Sequence, residues 1–200
     1  MPKKEGANAS QFLEMKNRKT ANDKIYTPLK LAIEMIKMCD IKENDNVLDC
    51  SLGKGIFYNN FPNCNSDWCE IEKGRDFFEY TKDKKYDWII GNPPYSLWNK
   101  WLDHTCNITD KFCYIFGVFN LTPPRVDTIL KKGFGITRLT ICKVHWWFSP
   151  SFLVVFEKDK KSVIDVIRDS FLCDICNNKR CKRGRTYKNK KYGINECSKN

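Results

Sequence analysis

Residues 86–95 read Tyr86-Asp87-Trp88-Ile89-Ile90-Gly91-Asn92-Pro93-Pro94-Tyr95, which is a short apolar run followed by a stiff polar loop. The β-branched and aromatic residues, bounded by Gly and Pro, predict a buried strand. The two prolines fix φ and carry no N–H, so the loop has an excess of hydrogen-bond acceptors, among them the Asn92 side-chain oxygen. Because open α/β sheets bind ligands at the carboxyl ends of their strands, we expect a site here. Its acceptors suit a substrate that donates, such as an exocyclic amino group, although a rigid turn after a core strand is the alternative interpretation.

A second predicted strand, residues 45–49, ends in Asp49 and runs into a turn that contains Gly53 and Gly55. Two glycines separated by one residue let the backbone turn tightly and let a ligand approach without interference from a Cβ atom. The position three residues after Gly55 is Tyr58, so the G-x-G-x-x-G fingerprint of NAD-binding proteins is absent. The spacing therefore predicts a nucleoside site with a carboxylate beside it.

Acidic residues follow the next predicted strand, which ends near Glu70. A carboxylate roughly twenty residues beyond the glycine turn is placed to accept hydrogen bonds from ribose hydroxyls. Asp76 follows and is placed to accept from an adenine amino group, while Phe77 or Phe78 closes the pocket. A solvated strand end and a core position for Phe78 are the alternatives.

The composition predicts a globular, soluble protein, since 42% of the residues are apolar and 30% are charged, and no apolar run is long enough to span a bilayer. The net charge of +11 is concentrated at the ends: residues 177–200 carry nine basic and one acidic side chain, whereas residues 25–176 carry twenty of each. Such ends predict contacts with the phosphate backbone of nucleic acid, and tails that only aid solubility are the alternative. We divide the chain into a polar arm (1–24), a catalytic domain (25–171) and a Cys-rich basic tail (172–200).

Seven of the eleven cysteines are scattered along the main body, as in a reduced intracellular protein, and the start of the chain does not resemble a signal peptide. We therefore expect the protein in the cytoplasm or nucleus. Four further cysteines in the tail are enough for a tetrahedral structural zinc ion, and unligated or redox-active thiols are the alternative. The candidate zinc ligands are Cys173, Cys176, Cys181 and Cys197.

In their order along the chain, these motifs resemble those of S-adenosylmethionine-dependent amino-methyltransferases, and most closely the DNA adenine-N6 methyltransferases. The match covers about residues 25–156 and consists of Tyr26-Thr27-Pro28, Asp49 with Gly53, Gly55 and Phe57, Glu70, Asp76-Phe77 and Asn92-Pro93-Pro94-Tyr95. The resemblance implies an α/β fold, namely the Rossmann-like, seven-stranded mixed sheet of class I methyltransferases with helices on both faces. It also implies S-adenosylmethionine as the cofactor, with contacts from Tyr26, Thr27, Pro28, Asp49, Gly53, Gly55, Glu70, Ile71, Asp76, Phe77 and Asn92.

The same resemblance implies methyl transfer to the N6 amino group of adenine in DNA, with a catalytic loop formed by Asn92, Pro93, Pro94 and Tyr95. It implies that Tyr95 stacks on an extruded base and that Trp147 or Phe148 stacks opposite, although an aromatic plug over the sheet edge is the alternative for these two residues. RNA adenine and a protein glutamine amide are alternative substrates. A nucleic-acid-binding scaffold with an inactive methyltransferase fold is the non-enzyme alternative.

Overall fold

The structure is a computed structural model of the chain, and it describes residues 25–147 and 149–164. The polar arm, the Cys-rich tail with Cys173, Cys176, Cys181 and Cys197, and Phe148 lie outside the described residues. The domain boundaries and the zinc site therefore stay predictions.

Six strands form one mixed sheet in the order β2-β1-β3-β4-β6-β5. Strands β1, β2, β3 and β4 pair in parallel, and β6 runs antiparallel to both β4 and β5. The six strands are β1 (Asn46–Asp49), β2 (Asn65–Trp68), β3 (Trp88–Gly91), β4 (Lys111–Gly117), β5 (Phe134–Cys142) and β6 (Ser151–Lys158).

Helices cover both faces of this sheet, as the sequence predicts. They are α1 (Leu29–Met38), α2 (Phe77–Tyr80), α3 (Trp98–Ile108) and α4 (Pro123–Lys131), with short 3-10 helices at Tyr58–Asn60, Ile71–Lys73 and Tyr95–Leu97. One core contains buried side chains of α2, α3 and α4, and the other contains those of α1. None of the described helices has the length and apolar character needed to cross a membrane.

Strand β4 shows why the sheet needs cover on both sides. Its alternate residues Phe112, Tyr114 and Phe116 lie in the core of α3 and α4, whereas Cys113 and Ile115 lie in the core of α1. All five are fully buried. An almost continuous apolar run is typical of a strand that is covered on both faces, and it fixes β4 at the centre of the fold.

The described residues form six strands and not the seven that the resemblance implies, because the segment between β2 and β3 contains no further strand. After α2, only residues 81–87 precede β3, which is too short for another strand with a crossover helix. Instead, the end of α2 and the segment after it fold back on Asp67 of β2, whose carboxylate accepts hydrogen bonds from the hydroxyls of Tyr80 (3.0 Å) and Tyr86 (2.9 Å). The fold is therefore a shortened version of the predicted architecture.

The strand order also locates the ligand crevice. The chain passes from β1 to β2 on one side and then returns to pair β3 on the other side of β1. Such a reversal opens a crevice at the carboxyl ends of the two central strands. The glycine turn follows β1 and the Asn-Pro-Pro-Tyr loop follows β3, so both predicted motifs border this crevice.

Candidate active site

Asp49, the last residue of β1, holds the glycine turn in place through hydrogen bonds to its backbone. Its side chain is fully buried, and its two oxygens accept hydrogen bonds from the backbone N–H groups of Ser51 (3.3 Å) and Tyr58 (3.2 Å). These bonds join the two ends of the turn to the end of the strand. Asp49 does not line the crevice, so the structure places it behind the expected cofactor site as a residue that positions the turn.

Burial raises the pKa of the Asp49 carboxyl to about 7; the N–H groups of Ser51 and Tyr58 oppose the rise, and the charge of Glu70 adds to it. A carboxyl whose pKa is raised on folding contributes stability that is complete below its unfolded pKa of about 4 and is lost as the pH rises through the folded value. Between pH values of about 4 and about 7, we expect the free energy of unfolding of the wild type to fall as the pH rises. The fall should exceed that of Asp49→Asn by on the order of a few kcal/mol. Urea titrations at a series of pH values measure this, and a constant difference between the two proteins would contradict it.

The glycines of the turn adopt conformations that other residues rarely adopt: φ is +51° at Gly53 and +75° at Gly55. The N–H of Gly53 donates to the Glu70 carboxylate at 2.8 Å, which joins the turn after β1 to the end of β2. The Tyr26 ring lies 3.6 Å from where a Cβ atom of Gly53 would be, and the Lys54 ammonium lies 4.4 Å from the centre of that ring. The turn, the predicted ribose acceptor and the segment before α1 therefore meet at one place.

Gly91 is a site residue that the sequence reasoning missed. A Cβ atom at this position would lie 2.8 Å from the Cys50 sulfur and 3.4 Å from the Ser51 hydroxyl. The absence of a side chain therefore lets the loop after β3 approach the turn after β1. The available signal was a glycine directly before Asn92 at the end of a buried strand.

We expect Gly91→Ala to destabilise the protein by roughly 1–3 kcal/mol, because the new methyl group overlaps a buried sulfur. We also expect it to weaken cofactor binding, since the two loops must move apart. Urea unfolding and calorimetric titration measure the two effects. Combining the change with Cys50→Ala should recover part of the loss, and strictly additive effects of the two changes would count against this contact.

Asn92 combines a fixed amide with an unused acceptor. Its Nδ2 group donates to the backbone carbonyl of Ile25 at 3.2 Å, which orients the amide. Its Oδ1 atom is buried and has no hydrogen-bond partner among the described residues. A buried acceptor without a partner costs free energy, about 1–3 kcal/mol, so such an atom at a crevice indicates a ligand that donates to it.

A cavity of about 300 Å³ brings most of the predicted residues together. Pro28, Asp49 and Gly55 do not line it. The predicted cofactor residues that line it are Tyr26, Thr27, Gly53, Glu70, Ile71, Asp76, Phe77 and Asn92. The cavity therefore joins the glycine turn to the Asn-Pro-Pro-Tyr loop, as the sequence predicts.

The polar and aromatic parts of the cavity are arranged by α2. Asp76 caps this helix, because its Oδ1 atom accepts from the N–H groups of Phe78 (2.9 Å) and Glu79 (3.3 Å). Phe77 is buried and stacks on the Trp101 ring, with 4.3 Å between ring centres. Phe78 and Trp101 also line the cavity, so one wall is aromatic and carries the Asp76 carboxylate beside it.

The rest of the Asn-Pro-Pro-Tyr loop divides between the cavity and the core. Pro94 lines the cavity, whereas Pro93 is buried. Tyr95 does not line it; its ring lies 5.6 Å from that of Trp98, and its edge is 3.7 Å from where a Cβ atom of Gly117 would be. Tyr95 therefore packs between α3 and the end of β4, next to the cavity.

The predicted stacking partners of Tyr95 lie elsewhere or outside the described residues. Trp147 is partly buried against the core of α1, whereas Tyr95 packs against the opposite core. Phe148 is not described. In the same loop it is Trp146 that is exposed, at 72% of its surface. Sequence reasoning missed Trp146, because neighbouring aromatic residues in a loop carry no periodicity that separates inward from outward positions.

Comparison with known proteins gives similarity in fold but not in sequence. No protein-family model matches the chain, and no curated protein matches it. Among solved structures, the precorrin-6y C5,15-methyltransferase of Geobacter metallireducens superimposes with a TM-score of 0.51 at 10% identity, over 68% of this chain and 91% of that one.

Two further solved structures superimpose with a TM-score of 0.50 at 17% identity. One is a proposed RNA methyltransferase from Pyrococcus horikoshii, matched over 66% of this chain and 85% of that one. The other is Trm5 of Methanocaldococcus jannaschii in complex with adenosine, matched over 68% of this chain and 51% of that one. The chain therefore has the fold of class I methyltransferases, with the crevice at the position that this fold uses for ligands.

Proposed function

We propose that the protein transfers a methyl group from S-adenosylmethionine to the exocyclic N6 amino group of adenine in DNA. The observation that carries the proposal is the buried Oδ1 atom of Asn92, which lacks a hydrogen-bond partner among the described residues and belongs to a residue that lines the cavity. An exocyclic amino group is a donor that this acceptor fits.

The residues of the cavity fit the proposed cofactor. S-adenosylmethionine carries two ribose hydroxyls, an adenine ring and a positively charged sulfonium, so it needs acceptors, a flat apolar wall and negative charge. Glu70 and Asp76 supply carboxylates, and Phe77 and Phe78 supply aromatic surface. Only Oδ1 of Asp76 accepts the cap bonds, which leaves Oδ2 without a protein donor among the described residues. When bound, S-adenosylmethionine would supply an electrophilic methyl group that an amino nitrogen takes up by in-line displacement, with S-adenosylhomocysteine leaving and one proton of the amino group passing to water.

The Asn92 loop acts on the amino group by orientation and hydrogen bonding. The lone pair of the N6 nitrogen is delocalised into the adenine ring, so the nitrogen is a poor nucleophile. A hydrogen bond from N6 to Asn92 Oδ1 favours a more tetrahedral nitrogen, and the bond from Nδ2 to Ile25 holds the acceptor in place. No cysteine occurs in the loop, and burial raises the pKa of the two thiols that line the cavity, Cys50 and Cys69. The residues therefore fit direct transfer to nitrogen and not covalent catalysis through a thiolate.

RNA adenine is the second candidate substrate, because the same acceptor fits the same amino group in either nucleic acid. Two of the structures with a similar fold are a proposed RNA methyltransferase and Trm5, but this similarity concerns the fold and does not indicate a substrate. A protein glutamine amide presents a similar planar nitrogen, but the basic ends of the chain favour nucleic acid.

The test is transfer of labelled methyl from S-adenosylmethionine to DNA, RNA and protein acceptors, with identification of the modified residue by mass spectrometry. We expect N6-methyladenine in DNA. Label confined to RNA or to glutamine would replace the proposed substrate, and cofactor binding without transfer to any acceptor would support the inactive scaffold.

A further inference from the structure

Exposed apolar side chains are concentrated at one edge of the molecule. Of nine large apolar side chains exposed in the described residues, eight lie at the carboxyl edge of the sheet, and only Val163 lies at the opposite edge. We refer to the eight as the apolar rim; they are Ile25, Tyr26, Leu29, Ile71, Leu97, Phe119, Ile141 and Trp146. Exposing apolar side chains to water costs free energy, and their concentration on one side of a protein is typical of an interaction site. The rim therefore indicates a binding surface.

The strand register places the rim around the candidate active site. Strands β4 and β5 end at Gly117 and Cys142, which both pair with Ser151 at the start of β6. Their following loops therefore leave the same edge as the Asn-Pro-Pro-Tyr loop. Among the described residues of these two loops, Phe119 (58% exposed) and Trp146 (72% exposed) are the exposed large aromatic side chains.

Hydrogen bonds fix the loop that carries Phe119 to α3 and α4. The Arg125 guanidinium donates to the carbonyl (3.2 Å) and side-chain (2.8 Å) oxygens of Asn120, and its Nε donates to Asn99 of α3 at 3.0 Å. The Tyr95 ring lies 3.7 Å from where a Cβ atom of the neighbouring Gly117 would be. Phe119 is therefore held next to the catalytic loop.

The loop that carries Trp146 is joined to the Phe119 loop in turn. The N–H of Val118 donates to the carbonyl of Pro150 at 3.2 Å. Two exposed aromatic side chains thus belong to connected loops beside the cavity. Such a pair is suited to a ligand that has further flat rings on either side of the one base that enters the cavity.

We propose that the part of the apolar rim outside the cavity, on the loops that carry Phe119 and Trp146, binds an unpaired nucleic-acid strand, with these two side chains stacking on nucleotides that flank the target base. The identity of this ligand rests on the proposed function. The faces of bases are accessible in a single strand but are covered in a duplex, so aromatic rims gain most from unpaired strands. Residues 25–176 carry equal numbers of positive and negative side chains, whereas a duplex is held mainly through its phosphates by positive surface.

The test uses fluorescence anisotropy of a labelled oligothymidylate with the full chain, at a salt concentration that suppresses phosphate contacts of the basic ends. We expect the single strand to bind more tightly than the same strand annealed to a complement of 2-aminopurine, a base that pairs with thymine but lacks the 6-amino group of adenine. Phe119→Ala and Trp146→Ala should each weaken single-strand binding by at least about fivefold. Val163→Ala, which truncates the exposed apolar residue at the opposite edge, is the matched control and should change it by less than about twofold.

Thermal unfolding verifies that each variant is folded, and an oligouridylate arm distinguishes DNA from RNA strands. Equal or tighter binding of the duplex would overturn the proposal, and so would unchanged binding by folded Phe119→Ala and Trp146→Ala. The probe has no adenine, so its binding does not depend on which base is methylated. Rim-dependent binding without adenine methylation would therefore refute the proposed function alone.

Discussion

Replacing Asn92 by alanine should reduce methyl transfer by at least about a hundredfold while leaving the affinity for S-adenosylmethionine within a few-fold of the wild type. The change removes the buried Oδ1 acceptor, which no described protein group uses and which we assign to the amino group of the substrate. Because that hydrogen bond strengthens as the nitrogen becomes tetrahedral, its loss should lower turnover more than binding. Single-turnover transfer of labelled methyl and calorimetric titration of the cofactor measure the two effects.

Asn65→Ala is the matched control for this change. Asn65 lies in β2 at the amino edge of the sheet, and its Nδ2 group also donates to a backbone carbonyl at 3.2 Å, that of Asn44. The control therefore removes a similar side chain and a similar hydrogen bond away from the cavity. Equal turnover in the wild type and in Asn92→Ala would refute the assigned role.

Replacing Glu70 by alanine should weaken S-adenosylmethionine binding by roughly ten- to a hundredfold, the range expected for hydrogen bonds to a charged group. The carboxylate holds the N–H of Gly53 at 2.8 Å, and it also accepts from the N–H of Glu72 at 3.3 Å. Its loss removes the proposed ribose acceptor and leaves the Gly53 N–H without its partner. At saturating cofactor, turnover should recover towards the wild-type value, which a role in the chemical step would not allow.

Glu79→Ala is the control for the charge of Glu70. Glu79 is exposed on α2 and does not line the cavity, so its removal changes the net charge by the same amount close to the site. We expect calorimetry to show near wild-type cofactor affinity for this variant. Undiminished affinity in Glu70→Ala would remove the basis for placing the cofactor in this cavity.

The parts of the site that sequence reasoning predicted are those for which local chemistry demands particular residues. The sequence itself shows the two glycines, Gly53 and Gly55, which adopt positive φ in the structure. It also shows the two prolines that follow a buried strand. The cavity then brings Gly53, Glu70 and Asn92 together because they follow the ends of three neighbouring parallel strands, β1, β2 and β3. In this fold these strands are neighbours, so the loops that follow them could be predicted to meet at one ligand site.

The parts that were missed depend on relations between distant residues. The sequence shows that Asp49 ends a strand, but not that its carboxylate turns towards its own loop instead of the cavity. The need for glycine at position 91 arises from the position of the Cys50 sulfur, about forty residues earlier in the chain. Likewise, the resemblance implied seven strands, while the short segment before β3 leaves six in the described residues.

The central claim is that the unused acceptor of Asn92 receives the exocyclic amino group of adenine. The most direct measurement compares methyl transfer to two oligonucleotides that differ only at one base, which is adenine in one and purine without the 6-amino group in the other. We predict a single methyl group on N6 of the adenine and no modification of the purine strand, as judged by mass spectrometry. Equal methylation of both strands would contradict the account.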